Sequence, residues 1–310
     1  MSAVDGTTLV HTGSHWGMYD VEVDHGRVVG VRAFHQDPQP SRMINTIPSA
    51  VHAACRITRP MMRQGWLEHG ARSNRAGRGV EPFVAVSWDE ALDRIAAELR
   101  RVQEAYGTEA IYASSGWASA GVFHNAPAQL YRFLNGFGGF VSQVTNYSFG
   151  AASVIVPHIV GTMDPVAGAV TSWPTIAKHT RLMVLFGGMA PKNAEVNMGG
   201  IGRHEASDWL AHMRQAGVAF VNISPMRSDA AEALGAEWLP LRPNTDVALM
   251  LGLAHTLIAE NLYDRAFLET YTVGFARLRA YIMGESDGTP KDAAWASAIT
   301  QLPAPTIRAL

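Results

Sequence analysis

The chain has 310 residues and a single cysteine, Cys55. One thiol excludes an internal disulfide. It also excludes an iron–sulfur cluster held by this chain alone, which needs about four thiolates. No apolar run reaches the roughly 18 residues of a membrane span. Net charge is only -2, so there is no basic footprint for nucleic acid. The first residues lack a charged segment followed by an apolar one, and they contain no twin arginine. The expected location is the cytoplasm, or the periplasm if a leader has been clipped. Lysine is scarce: only Lys178, Lys192 and Lys291 occur among 25 basic residues. No H-E-x-x-H occurs, and His11 and His15 straddle Gly13 without a helix signal, so zinc is not expected. No G-x-G-x-x-G follows a strand, which disfavours a nicotinamide site. No Gly-x-Ser-x-Gly surrounds a serine, which disfavours a hydrolase elbow.

What is present is ordinary globular material, 47% hydrophobic and 17% charged, with enough core for two or three units. Residues 17–33 alternate and turn at Asp24-His25-Gly26, which predicts a hairpin. Residues 37–60 hold four prolines and no helical period, so an irregular cap is expected. Ser87-Trp88-Asp89-Glu90 is a capping box ahead of a helix that Gly107 closes. Ala110–Ser115 reads as a buried strand, and Ala126–Asn135 as a helix.

From Leu182 onward strands and helices alternate. Strands are expected over Leu182–Phe186, Val218–Ile223 and Trp238–Leu241. Helices are expected over Ala206–Ala216, Ser228–Gly235 and Asp246–Asn261, the last capped by Asn244 or Thr245. This is the pattern of a doubly wound, mostly parallel α/β sheet, whose ligands bind beyond the carboxyl ends of its strands. The expected domains are a β-rich unit over 1–60, an α/β unit over 61–155 that carries Ser148, and an incomplete dinucleotide-binding unit over 156–310. Pro303–Leu310 starts a helix that stops after barely one turn, which reads as a cut chain.

Chemistry-bearing candidates cluster at predicted strand ends and one small-residue turn. Ser148 lies in Asn146-Tyr147-Ser148-Phe149-Gly150-Ala151-Ala152, where a bulky group can approach the backbone. Most serines are solvated loop hydroxyls; a hard, high-valent metal would instead prefer such an oxygen. Trp117 follows Ser114-Ser115-Gly116. Its indole N–H is a pure donor suited to an oxo group or a substrate oxygen, against the usual fate of core packing. Lys192 and Asn193 follow Gly187-Gly188, where backbone N–H groups suit phosphate or pterin. Ser224, Arg227 and Ser228 suit ribose and diphosphate. Asp246 suits a guanine edge, although helix N-terminal roles explain Ser228 and Asp246 equally.

Taken in order, His15-Trp16-Gly17, Arg56–Met61, Val86–Ala91, Gly116–Gly121, Asn146–Ala152 and Arg242–Ala248 resemble the amino-terminal part of the dimethyl sulfoxide reductase family. Within that family the resemblance is to the biotin sulfoxide and trimethylamine N-oxide reductases. The resemblance implies bis(molybdopterin guanine dinucleotide), with Ser148 as the protein ligand to molybdenum. It implies that Trp117 donates to the oxo or substrate oxygen. It places Lys192, Asn193, Ser224, Arg227, Ser228, Asp246 and Trp16 around the cofactor. The implied reaction is oxygen-atom transfer from an S-oxide or N-oxide, with electrons from a donor protein or small reductant and no iron–sulfur cluster. Two residues before the tryptophan the family often carries tyrosine, and this chain has Ser115. The implied full length is more than twice that of this chain. The alternative reading is a cofactor- or nucleotide-binding fragment without redox turnover.

Overall fold

The computed structural model describes residues 3–4, 7–114, 120–121, 123–168, 170–197 and 199–310. They divide into two compact units. One comprises residues up to 170 together with 195–205; the other comprises 171–194 and 206–310.

The first unit opens with a four-stranded antiparallel sheet in sequential order: β1 (Ala3–Val4), β2 (Thr7–Ser14), β3 (Gly17–Asp24) and β4 (Arg27–Ala33). The hairpin of β3 and β4 is the one the alternation predicts. Strand β2 was not expected from sequence, yet it pairs with β3 along its whole length, Thr7 to Asp24 through Ser14 to Gly17. The stretch expected to be irregular contains a short helix, α1 (Ile47–Val51), with proline in its first turn. Proline is favoured there because the first N–H groups have no helical partner.

A two-stranded ribbon follows, β5 (Met61–Arg63) with β6 (Phe83–Ala85), enclosing α2 (Gln64–His69). The long helix α3 (Trp88–Tyr106) starts with half of the capping box: the Glu90 N–H donates to the Ser87 hydroxyl at 3.1 Å, while the Glu90 carboxylate pairs with Arg94 at 2.9 Å. Gly107 ends it. The apolar stripe of α3 is covered only in part: Ala91 is buried, while Leu92 and Ile95 are half exposed or more. Helix α4 (Ala126–Gly136) matches expectation within a residue.

Of the strand expected over Ala110–Ser115, residues 110–114 are described, and they do not form a continuous strand. Among the described residues they make one isolated parallel bridge, Tyr112 to Val141, and Tyr112 is 64% exposed. A parallel strand needs a continuous partner, and one bridge does not supply it. After the Ser148 turn come α5 (Gly150–Val160) and α6 (Asp164–Ala167).

The second unit is a three-layer α/β sandwich. Its sheet is wholly parallel, in the order β7 (Leu182–Phe186), β8 (Ala219–Ile223), β9 (Glu237–Leu239). One face is covered by α7 (Trp173–His179) and α8 (Ala206–Gln215). There Leu185, Leu210, Met213, Phe220 and Leu234 form one buried cluster. On the opposite face Val221, Ile223 and Leu239 pack in one cluster with Leu249 of α9 (Asp246–Ala259) and with residues of α12 (Ala293–Thr300) and α13 (Ala304–Ala309). Successive residues of β8 therefore serve opposite faces, as a strand buried on both sides must. Burial of each large apolar side chain contributes about 1.5–3 kcal/mol. Helices on both faces are the expected doubly wound arrangement.

Two details differ from the sequence reading. Ser228–Gly235 is not one helix but two short 3-10 turns, Arg227–Asp229 and Glu232–Leu234, separated by extended Ala230. Helix α9 has Thr245 at its start, but neither candidate side chain caps it. The Thr245 hydroxyl donates to the Arg242 carbonyl at 2.6 Å instead.

Helices α10 (Arg265–Tyr271) and α11 (Phe275–Ile282) lead to a loop pinned by Lys291. This residue is 3% exposed, and its ammonium donates to Asp287 at 2.6 Å and to the Thr289 carbonyl at 2.5 Å and lies 4.3 Å from the centroid of the Tyr281 ring. The hydrogen bond from Lys291, then that from the Thr289 N–H, hold the Asp287 carboxyl below its ordinary range. A depressed carboxyl pKa contributes stability that is complete above the unfolded value of about 4 and is lost as pH falls through the folded value. Thermal melts of the parent and of Asp287→Asn between pH 5 and 3 are expected to show a steeper acid loss in the parent. Coincident slopes would refute this.

Candidate functional site

The carboxyl ends of β7 and β8 are joined into one surface. Gly187 donates to the Ile223 carbonyl at 2.8 Å and Met189 to the Asp229 carbonyl at 2.6 Å. Gly188 has φ +79, and a Cβ there would lie 2.4 Å from the Asp229 carbonyl oxygen. Only glycine meets both conditions. Behind this junction Ser224, 1% exposed, donates its hydroxyl proton to Asp229 at 2.5 Å, and the Trp238 indole N–H donates to the Ser224 carbonyl at 2.8 Å.

Lys192 and Asn193 stand exposed in the turn Pro191–Ala194 after β7, and Arg227 and Ser228 stand exposed in the turn after β8. The Gly188–Asp229 contact brings these two loops together. Two cations, a hydroxyl and an amide on adjoining loops form a donor set suited to phosphate oxygens. Asp246 is half-buried at the first turn of α9, after the third strand end.

One buried group here was not singled out from sequence. Asn222, 1% exposed in the middle strand, donates from Nδ2 to the Arg227 carbonyl at 3.2 Å, while its Oδ1 has no partner among the described residues. A buried acceptor without a donor is costly. It lies under the loop that carries Arg227, and an asparagine inside the otherwise apolar Ala219–Ile223 was the available signal. A cavity of about 630 Å³ in the same unit lies elsewhere, lined by the starting residues of the strands, Leu182, Ala219 and Glu237.

The first unit carries Ser148 and Trp16. Ser148 is exposed in the turn that precedes α5, between the exposed rings of Tyr147 and Phe149. The Phe149 N–H donates to the Asn146 side chain at 2.9 Å, which shapes the turn. Trp117 lies outside the described residues. Trp16 is half-buried; its N–H donates to the Ser14 hydroxyl at 3.2 Å, and its ring centroid lies 4.4 Å from that of His15. No three His, Cys, Asp or Glu side chains converge among the described residues. A metal held at Ser148 would therefore have to bring most of its ligands with it. Cys55 is exposed.

The family described as "Molybdopterin oxidoreductase" matches residues 56–301, and the "Molybdopterin oxidoreductase N-terminal domain" matches residues 12–52. The chain belongs to the molybdopterin oxidoreductase family. It is 42% identical over 307 residues to the dimethyl sulfoxide/trimethylamine N-oxide reductase of Rhodobacter capsulatus, covering 99% of this chain and 37% of that protein. It is 45% identical over 283 residues to the biotin sulfoxide reductase of Cereibacter sphaeroides, covering 91% and 38%. Against trimethylamine-N-oxide reductase 1 of Escherichia coli (strain K12) the identity is 43% over 306 residues, covering 96% and 36%. Among solved structures, acetylene hydratase from Pelobacter acetylenicus superposes with a TM-score of 0.60 at 22% identity, covering 96% of this chain and 38% of that one. This last likeness concerns the fold alone. The chain spans a little over one third of the length of the curated relatives it matches. No helix is long and apolar enough to cross a membrane among the described residues.

Proposed function

We propose that the protein containing this chain reduces an S-oxide or N-oxide by oxygen-atom transfer at a molybdenum centre carried by bis(molybdopterin guanine dinucleotide). The observation that carries the proposal is identity of 42–45% over more than nine tenths of the chain to proteins named for dimethyl sulfoxide, trimethylamine N-oxide and biotin sulfoxide reduction. When bound, the cofactor supplies the electrons and accepts the oxygen. The chain's own residues hold it and position the substrate.

Ser148 is assigned as the protein's ligand to the metal. Its hard oxygen suits high-valent molybdenum, and its exposed turn leaves space for a large group. Trp117 is assigned as the donor to the substrate oxygen. Lys192, Asn193, Arg227 and Ser228 suit ribose and diphosphate, and Asp246 the N–H edge of guanine, while Ser224, buried with its hydroxyl on Asp229, supports the loop that carries Arg227. Trp16 offers an aromatic face to the pterin. A single cysteine in the chain supports a site without an iron–sulfur cluster here. Electrons would come from a donor protein or a small reductant, and the released oxygen would leave as water after two protons are taken up.

The test is elemental and spectroscopic. Protein purified from a host that makes the cofactor is expected to contain molybdenum and, after oxidation, pterin fluorescence. Absence of both would leave only a nucleotide-binding role for the same strand ends. Coverage of 37% of the relatives' length favours a second statement about the isolated 310-residue chain: it binds the cofactor weakly and turns over little. Full sulfoxide turnover by the reconstituted chain would overturn that statement alone.

A further inference from the structure

The connection from β7 to α8 does not stay in its own unit. Its two ends belong to the sheet unit, but residues 195–205 pack into the first unit. What seats this strap is a buried polar pair 167 residues apart in sequence. Asp37 Oδ2 lies 2.6 Å from His204 Nδ1, with side chains 1% and 6% exposed. Asp37 Oδ1 accepts the main-chain N–H of His204 at 3.0 Å and that of Gln39 at 3.1 Å. His204 Nε2 faces the Glu195 carbonyl at 3.1 Å. Both ring nitrogens thus face acceptors, so the bonds are complete when hydrogen sits on both. The pair closes the strap on itself, because His204 and Glu195 stand near its two ends. A second tie is the Ser41 hydroxyl donating to the Glu195 carboxylate at 2.8 Å.

Between these anchors lies the glycine-rich run Gly199–Gly202. It forms one wall of a cavity of about 450 Å³, whose other walls include His11, Ser14, Gly121 and His124. The strap's main chain is stitched to those walls: Asn197 donates to the His15 carbonyl at 3.2 Å, and Gly121 donates to the Gly199 carbonyl at 3.1 Å. Three glycines in this wall, Gly199, Gly200 and Gly202, have no side chains with which to lock their own position. Along the run the wall is held by these main-chain hydrogen bonds and by the Asn197 side chain, and at its ends by the two polar ties.

We propose that Asp37 and His204 are positioning residues, whose role is to seat the 195–205 strap and so set the shape of the cavity it walls. A buried ionic or strongly polar pair is seldom the cheapest way to gain stability, since apolar groups of similar size pack as well. What such a pair does supply is a single permitted arrangement, because any shift leaves a buried donor or acceptor unmatched. Gly17 reinforces the assignment. At φ +121 it lies directly against the imidazole, and a Cβ there would stand 2.8 Å from His204 Cε1. No side chain fits between β3 and the ring. That the cavity receives substrate or cofactor rests on the proposed function; the seating of the strap does not.

The experiment has one arm for each half. In the unmodified chain, the Nδ1 proton of His204 is expected as a far-downfield NMR resonance protected from solvent, and its absence would overturn the seating. Asp37→Asn and His204→Gln are then compared by hydrogen exchange, with Ser41→Ala as the control that removes the other tie. Exchange at the Asn197 and Gly121 amides is expected to rise roughly tenfold or more in the two pair variants. It should rise less in the control and not at all at the β8 amides. Gly17→Ala, which leaves the pair's chemistry intact but displaces the ring, should raise the same amides. Unchanged exchange there, or an equal rise throughout β8, overturns the seating. In the molybdenum-loaded holoenzyme, a raised KM with kcat retained supports the cavity role. Unchanged KM despite faster exchange overturns that role while leaving the seating intact. Loss of all molybdenum from the parent enzyme would instead count against the proposed function, and the exchange arm would still decide the clamp.

Discussion

Ser148→Ala is expected to abolish oxide reduction and to empty the protein of properly ligated molybdenum while leaving the fold untouched. The substitution deletes the only oxygen that side chain can offer. Disturbing residues that merely orient a metal ligand already costs about 10–100-fold, so removing the ligand itself should cost more than about 100-fold in turnover. The side chain is exposed on a turn before α5 and makes no side-chain hydrogen bond among the described residues. Exposed substitutions of this kind change stability by within about 0.5 kcal/mol. An unchanged melting curve with lost activity would therefore separate ligation from folding. Ser148→Thr, which keeps the hydroxyl, serves as the partner variant. Full turnover and full molybdenum content in Ser148→Ala would remove the basis of the assignment.

The largest expected effect on stability is at Gly252, inside α9. The α9–α12 seam is so tight there that an added Cβ would lie 2.7 Å from the Cβ of Ala296, itself fully buried. Two effects compete. Replacing a helical glycine by alanine gains about 1 kcal/mol of intrinsic propensity. Against this, carbon atoms rest at roughly 3.5–4.0 Å, and a Cβ cannot rotate out of the way. The helices must part by about 1 Å and lose contacts along the seam, at a cost of about 1–3 kcal/mol. Gly252→Ala is therefore expected to be destabilising on balance. Gly252→Val, with more bulk and no propensity gain of comparable size, should cost about 3 kcal/mol. Urea unfolding of Gly252→Ala, Ala296→Gly and the double variant checks the mechanism. The double variant should be more stable than the two single effects summed. A Gly252→Ala chain as stable as the parent would show that the seam yields.

The parts of this molecule legible in its sequence are those whose signal is local. Ser87 and Gly107 mark the ends of α3, and β7 and α8 appear where apolar periodicity puts them. The strand ends could be proposed as sites from sequence because alternation of strand and helix fixes which ends of the strands carry the loops. What failed was whatever depends on a distant partner. Ala110–Ser115 has the composition of a buried strand, but pairing decides, and its described residues 110–114 find one bridge. Ser228–Gly235 has helical composition, but the Ser224–Asp229 bond and extended Ala230 break it. The Asp37–His204 pair gives no local sign at all, since each residue looks like an ordinary loop polar group. Ser148 was singled out by the residues around it rather than by any periodicity, and it remains a proposal, since the groups that would complete such a site are not local to it.

The detour of residues 195–205 has a practical corollary. The backbone passes from one unit to the other three times, after residues 170, 194 and 205. No single break point yields two self-contained halves. Gene truncations placed at 170 would produce an amino-terminal piece lacking its inserted segment and a carboxyl-terminal piece carrying a foreign loop. Separate expression of either unit would require rejoining 194 to 206 with a short linker and supplying the excised segment to the other half.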